Sequence, residues 1–169
     1  MTPPDDEATR VRASFARQTA MHTLGIEIAH VAPGEVDLRM PYRADLAQQH
    51  GYLHAGMVAT LADTASGYAA YTLMPPGADV VSVEFKLNLL APALGDAFVA
   101  RARVKKSGRT LSVVTADVFA LRDESERLVA TMQATMMALG GEGTGDRGQG
   151  TGDRGQGTGD RGQGIRDRG

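Results

Sequence analysis

The 169 residues contain no cysteine and no tryptophan, and neither charge sign is in excess. Without cysteine there is no disulfide framework and no thiolate metal site. Lys+Arg number 18 against 20 Asp+Glu, a net charge of −2. Phosphate binding needs a basic excess or stripe, so nucleic acid is not an expected partner. The first residues, MTPPDDEATR, show neither a basic region nor an apolar run. They do not read as a secretory signal, and the cytoplasm is the expected compartment. One stretch, residues 55–74, is apolar enough to raise the membrane question. It carries Asp63, Ser66 and Gly67, is Ala-rich and lacks flanking basic anchors. A span needs about 20 strongly apolar residues, so no membrane partner is expected.

Glycine is plentiful but unevenly placed. More than half of the 21 glycines lie after position 142, where GTGDRGQ repeats three times before GIRDRG. A heptad with no apolar position cannot form a coiled coil. Gly with Asp-Arg pairs cannot repay the entropy of ordering, so residues 140–169 read as a disordered tail. Deleting residues 143–169 is expected to leave activity and melting temperature nearly unchanged; a drop of several degrees would contradict this. About 140 residues remain, enough for one domain with one core. They divide into an N-terminal helical segment, 1–22, and a folded domain, 23–139.

Residues 5–21 read as one short amphipathic helix, with Asp5, Asp6 and Glu7 at its start, Val11 and Phe15 on one face and Gly25 beyond its end. Strands are expected over 26–31 and 35–41, joined by the Pro33-Gly34 turn. Residues 42–53 read as an irregular polar loop. Residues 56–73 have helical length and are apolar all round, which predicts a helix buried on every side. Its small residues, including Ala62, Ala65 and Ala69, let a sheet approach closely. Four strand patterns follow. In the first, Val81, Val83, Phe85, Leu87 and Leu89 alternate on one face. Successive strands with short turns predict an antiparallel sheet. The element order predicts an α+β fold, with one curved sheet wrapped around one central helix.

The densest chemistry lies in QQHGYLHAGMVATLADTASGYAA, residues 48–70. His54, Ala55 and Gly56 fall where the buried helix should begin. The first backbone N–H groups of a helix have no internal acceptor and attract an anion or a polarised carbonyl oxygen. Small residues at 55 and 56 admit a ligand to that backbone. Asp63 is the only charge in the helix, and a lone buried carboxylate is costly unless it is paired or used. A carboxylate with helix-end N–H donors is the minimum set for acyl transfer: one activates water or attacks, the other holds the oxyanion. Read singly, Asp63 also fits a satisfied polar residue, His54 a capping residue and Ser82 a structural serine.

Taken together, Gln48, His54 and Asp63 carry the spacing of hotdog-fold acyl-CoA thioesterases, and this stretch resembles the phenylacetate-degradation (PaaI-type) branch. The run VVSVEFKLNLLAPA from Val80 and the Gly108-Arg109-Thr110 turn are similar as well, so the likeness covers residues 20–139. It departs in one place: the family's first motif glycine is Ala55 here, which is strained only if the position needs a positive φ. The resemblance implies a hotdog fold and hydrolysis of acyl-CoA or aryl-CoA thioesters to free acid and CoA. Asp63 would be nucleophile or general base. The Ala55 N–H, with Gln48 nearby, would polarise the carbonyl, Ser82 would position water, and His54 would shape the helix entry. The site would form between two subunits, which implies a homodimer, commonly paired into a tetramer. No metal or redox cofactor is implied, since CoA is part of the substrate. Lys105, Lys106 and Arg109 cluster at the Ser107-Gly108 turn and read either as a solvated hairpin tip or as a surface clamp for the nucleotide phosphates of CoA, and Gly56 would give the substrate room. Tyr68, Tyr71, Met57 and Leu61 either line the acyl pocket or are plain core.

Two other functions fit the same fold. A hotdog dehydratase resembles a different motif, which is not seen. An acyl-CoA-sensing module of this fold carries a DNA-binding helical domain in front, and about 22 residues before the first strand are too few for one.

Overall fold

The computed structural model describes residues 7–140. Chain order is α1 (Glu7–Phe15), α2 (Thr19–Leu24), β1 (Glu27–Ala32), β2 (Glu35–Pro41), α3 (Ala55–Thr72), β3 (Ala78–Leu89), β4 (Ala97–Ser107), β5 (Leu111–Arg122) and β6 (Ser125–Gly140). A short 3-10 turn, Ala44–Leu46, lies in the segment that reads as an irregular loop. The six strands form one antiparallel curved sheet in the order β1-β2-β4-β5-β6-β3. The long α3 packs across it as the central helix. This is the α+β architecture of one curved sheet around a central helix that the element order predicts, and the hotdog fold that the resemblance implies. The glycine-rich tail lies outside the described residues.

Alternation along the strands builds the core. Leu38 and Met40 of β2, Phe98 and Ala100 of β4, Val114 and Val118 of β5 and Met132 and Met136 of β6 are all buried on the helix side. Against them α3 sets Leu61, Ala62, Ala65 and Ala69, also buried. Alanines keep the helix close to the sheet, while Leu61 contributes about 1.5–3 kcal/mol by full burial. The end of α3 is fixed twice. Gly34, at φ +76° in the β1–β2 turn, donates its N–H to Thr72 Oγ1 at 2.7 Å. Arg10 donates from Nη2 to the Met74 carbonyl at 3.0 Å and lies over the Tyr71 ring. A cation at free helix-end carbonyls is favourable.

Three expectations are corrected. The N-terminal segment is two helices rather than one. Phe15 and Met21 are both buried, yet six residues at ~100° each place them roughly 120° apart around one helix. A break at residues 16–18 turns both inward, and Gly25 closes α2 in the left-handed region at φ +69°. Second, α3 is not covered on every side. Gly56, Thr60, Asp63, Thr64, Gly67 and Tyr71 form a half-exposed stripe at helical spacing, because the sheet closes over only part of the helix. Third, the alternation of β3 is broken. Its register against β6 shifts between Ser82 and Glu84, which leaves Val83 as the extra residue of a β-bulge. Ser82 is opposite buried Met136, while Phe85, Leu87 and Leu89 are opposite buried Ala134, Met132 and Ala130. Ser82 therefore shares the helix-facing side with Phe85, and Val81 lies on the outer side.

Candidate active site

Asp63 sits near the middle of α3, on its half-exposed stripe. The bulge in β3 aims Ser82 at it, and Ser82 Oγ donates to Asp63 Oδ1 at 2.7 Å. A short bond to an ionised acceptor is a strong one and holds the carboxylate in one rotamer. Asp63 Oδ2 has no protein partner among the described residues. The Ser82 oxygen also lies 3.5 Å from Met136 Sδ, but its single proton serves the carboxylate, the better acceptor. Asp63 and Ser82 line a cleft of about 200 Å³. An aspartate that reads as a costly buried charge is thus half-exposed and hydrogen-bonded.

The other candidates gather at the start of α3. His54 is the N-cap, and its Nδ1 accepts from Gly56 N–H at 2.9 Å. In that role the imidazole is the tautomer with its proton on Nε2. Gly56 leaves the ring room, since a Cβ there would lie 3.1 Å from His54 Nδ1. His54→Ala is expected to cost about 1 kcal/mol, the usual loss when an N-cap side chain is removed. The urea midpoint measures it, and an unchanged midpoint would show that the cap adds nothing.

Ala55, the first residue of α3, has a negative φ, so alanine is unstrained where the family motif has glycine. As the first helical residue it has no acceptor within the helix for its N–H, and none is found elsewhere among the described residues. Ala55 and Gln48 line a second, apolar cleft with Val58, Leu89 and Pro92. Gln48 Oε1 accepts from His50 N–H at 2.7 Å, which tightens the loop before the helix.

The candidates therefore form two half-sites, Asp63 with Ser82 and Ala55 with Gln48. Eight residues separate Asp63 from Ala55, about 12 Å along one helix axis. A single carbonyl must lie ~3 Å from both nucleophile and oxyanion donor, so one chain does not bring them together. Lys105, Lys106 and Arg109 lie exposed on and beside the β4–β5 turn and line neither cleft. The turn lies at the sheet end nearest Ser82: Ala138 N–H donates to Thr110 O, and Ala138 pairs with Val80. Of the helix residues read as pocket or core, Tyr68 and Tyr71 line the Asp63 cleft, while Leu61 is fully buried. Sequence reasoning missed Ser14, Gln18 and Asp79, which also line that cleft. No local pattern marks them, because their proximity to Asp63 is set by packing.

Among the described residues no helix is long and apolar enough to cross a membrane. The chain matches the family model described as Thioesterase superfamily over residues 50–126. It is similar to a crystal structure of a thioesterase family protein from Silicibacter pomeroyi. That likeness has 56% identity, a TM-score of 0.79, and covers 80% of this chain and 99% of that one. Acyl-coenzyme A thioesterase 13 of Homo sapiens is 35% identical over 94 residues, which cover 55% of this chain and 66% of the relative. The acyl-coenzyme A thioesterase PaaI of Escherichia coli is 26% identical over 135 residues, 79% of this chain and 92% of the relative. With a hotdog sheet, a capped central helix and these relatives, the chain belongs to the thioesterase superfamily, in its hotdog-fold PaaI-type branch, and is a thioester-hydrolysing enzyme.

Proposed function

We propose that the protein hydrolyses acyl-CoA or aryl-CoA thioesters to the free acid and CoA, with Asp63 as the acting carboxylate. The observation that carries this is the Ser82–Asp63 pair, held at 2.7 Å in an open cleft. Ser82 occupies one carboxylate oxygen and leaves the other available to water or to the thioester carbonyl. The relatives named for acyl-coenzyme A thioesters support CoA as the carrier.

The oxyanion donor in this reading is the Ala55 N–H of a second copy, with Gln48 beside it. The 12 Å separation argues for two copies, and so does β3. It is one of the sheet's two edge strands, and its side chains Val83, Phe85 and Leu89 are 53%, 47% and 57% exposed. A long apolar edge with unpaired N–H and C=O groups is the surface that a second copy covers. In this reading a homodimer joined near β3 would bring the Asp63 of one chain to the Ala55 of its partner, and pairing into a tetramer is a further step of the same proposal. In the general-base route water attacks the carbonyl carbon as Asp63 takes its proton, the C–S bond breaks, and that proton passes to the departing CoA thiolate. In the nucleophilic route Asp63 attacks the carbonyl carbon, the C–S bond breaks to leave a mixed anhydride and CoA thiolate, and a water then hydrolyses the anhydride, which releases the acid, restores Asp63 and supplies the proton for the thiolate. No metal or redox cofactor enters. Lys105, Lys106 and Arg109 contribute by attracting the CoA phosphates at the cleft end of the sheet. Thiol release from a panel of acyl-CoAs, by the native chain and by Asp63→Asn, tests the reading. Binding of acyl-CoA without turnover by the native chain would favour a sensing module.

A further inference from the structure

The loop before α3 fixes one side chain in both place and orientation. Residues 48–51, Gln-Gln-His-Gly, form a β-turn in which Gly51 N–H donates to the Gln48 carbonyl at 2.9 Å. Gly51 takes φ +78°, a left-handed conformation that glycine adopts without strain. Gln48 N–H donates to the Tyr52 carbonyl at 2.8 Å, and Ala47 and Leu53 pair across the turn. The turn is tied to its surroundings by Leu53 N–H on the Ala93 carbonyl and His54 N–H on the Leu46 carbonyl, both at 3.0 Å. The main chain of Gln48 is therefore held on both sides, a few residues ahead of the helix start.

The side-chain amide is held as well. His50 N–H donates to Gln48 Oε1 at 2.7 Å, a bond from a side chain to the main chain two residues on. A main-chain N–H only donates, so the amide atom that meets it is the oxygen and not the nitrogen. That leaves Nε2, with two protons, as the free end; it has no protein partner among the described residues. Gln48 lines the cleft of Ala55, about 160 Å³, beside Leu53, Val58, Leu89 and Pro92. Among apolar walls a fixed donor gains more from a developing negative oxygen than it does in water. An amide free to rotate would present its own oxygen as readily, and that oxygen would repel the oxyanion.

We infer that the main-chain N–H of His50 is a positioning group for the hydrolysis. By occupying Gln48 Oε1 it turns the amide into a fixed donor, so that Nε2 joins the Ala55 N–H in holding the oxyanion. This rests on the Ala55 N–H marking the thioester carbonyl. The turn does for the oxyanion side what Ser82 does for Asp63: a neighbour takes one polar atom and leaves the other to the substrate. His50 acts here through its backbone and not through its imidazole.

The test is thiol release from phenylacetyl-CoA and hexanoyl-CoA by chains altered at the amide of residue 48 and at the N–H of residue 50. Gln48→Glu keeps an acceptor for His50 N–H and loses the donor. Its urea midpoint should not fall, while kcat drops about 10²–10³-fold, as in Gln48→Ala. For the N–H itself the reference chain is His50→Phe. The α-hydroxy acid counterpart of phenylalanine at position 50 then replaces that N–H with an ester oxygen. The ester should lower kcat about 10-fold or more relative to its reference, with KM within about threefold. In a Gln48→Ala background the same exchange should change kcat less than about twofold, because no amide is left to orient. An ester chain with the kcat of its reference overturns the proposal. An equal fall in both backgrounds also overturns it, because the bond is then only a support of the turn. Native kcat in Gln48→Glu does the same, since no donor is then needed at 48. Each of these sinks only this inference, whereas no thiol release by the native chain from any acyl-CoA takes the hydrolase reading down with it.

Discussion

Asp63→Asn is expected to release thiol from acyl-CoA at least ~100-fold more slowly than the native chain, with its fold intact. Asparagine is nearly isosteric, and its Oδ1 still accepts from Ser82 Oγ, so the 2.7 Å contact and the helix around it survive. Only the charge and the basicity are lost. A general acid or base contributes typically 10²–10⁴-fold, and each tenfold is about 1.4 kcal/mol of barrier. The loss should appear in kcat more than in KM, because the carboxylate acts on the transition state rather than on the bound ground state. Equal turnover would transfer the role to another group. The same assay in heavy-oxygen water separates the two chemistries. Label recovered in the Asp63 carboxyl after a single turnover identifies a mixed anhydride, whereas a general base leaves the label in the product acid alone.

Two inactive variants should restore one another when mixed. Ala55→Pro removes the proposed oxyanion N–H at a position where proline is tolerated. Proline suits the first helical residue, and His54 before it already has φ −61° and ψ 138°, the extended conformation that proline requires of its predecessor. Alone, Ala55→Pro is expected to lose about 10²–10³ in kcat. Chains of Asp63→Asn and Ala55→Pro, dissociated and reassociated at equal concentration, should recover about a quarter of native turnover, because half of the dimers are mixed and each of those has one native site of two. Turnover no higher than the mean of the two parents would place both half-sites in one chain and defeat the shared-site reading. The expectation rests on the 12 Å between Ala55 and Asp63 and on the apolar edge at β3.

Much of this site was legible before any coordinates. The spacing of Gln48, His54 and Asp63 requires no tertiary knowledge: the start of a helix is marked by the change from polar loop to apolar run, and a lone acid stands out within it. His54 as a cap and Ala55 as an unstrained first residue are local properties of backbone and side chain. Ser82 was named through the resemblance, but the direction of its side chain was not legible. Strict alternation places it opposite to Val81 and Phe85; the bulge at Val83 turns it toward the helix, and a bulge depends on pairing with β6, more than fifty residues away in the chain. The single N-terminal helix failed for a similar reason: nothing local says that Phe15 and Met21 must both be buried.

The sequence by itself determined the fold class, because hydrophobic period and turn residues act over a few positions, and it pointed to the reaction class through a resemblance carried by a few residues at definite spacing on one helix. Only the tertiary structure decided which side chains share a cleft. Ser14 and Gln18 meet Tyr68 across about fifty residues of chain, and such contacts depend on how separate faces bury one another. The same holds for the bare stripe of α3 and the open edge of β3. Hydropathy marks the helix as mostly apolar and β3 as an alternating strand, and it is the sheet's strand order that leaves the stripe and the edge uncovered.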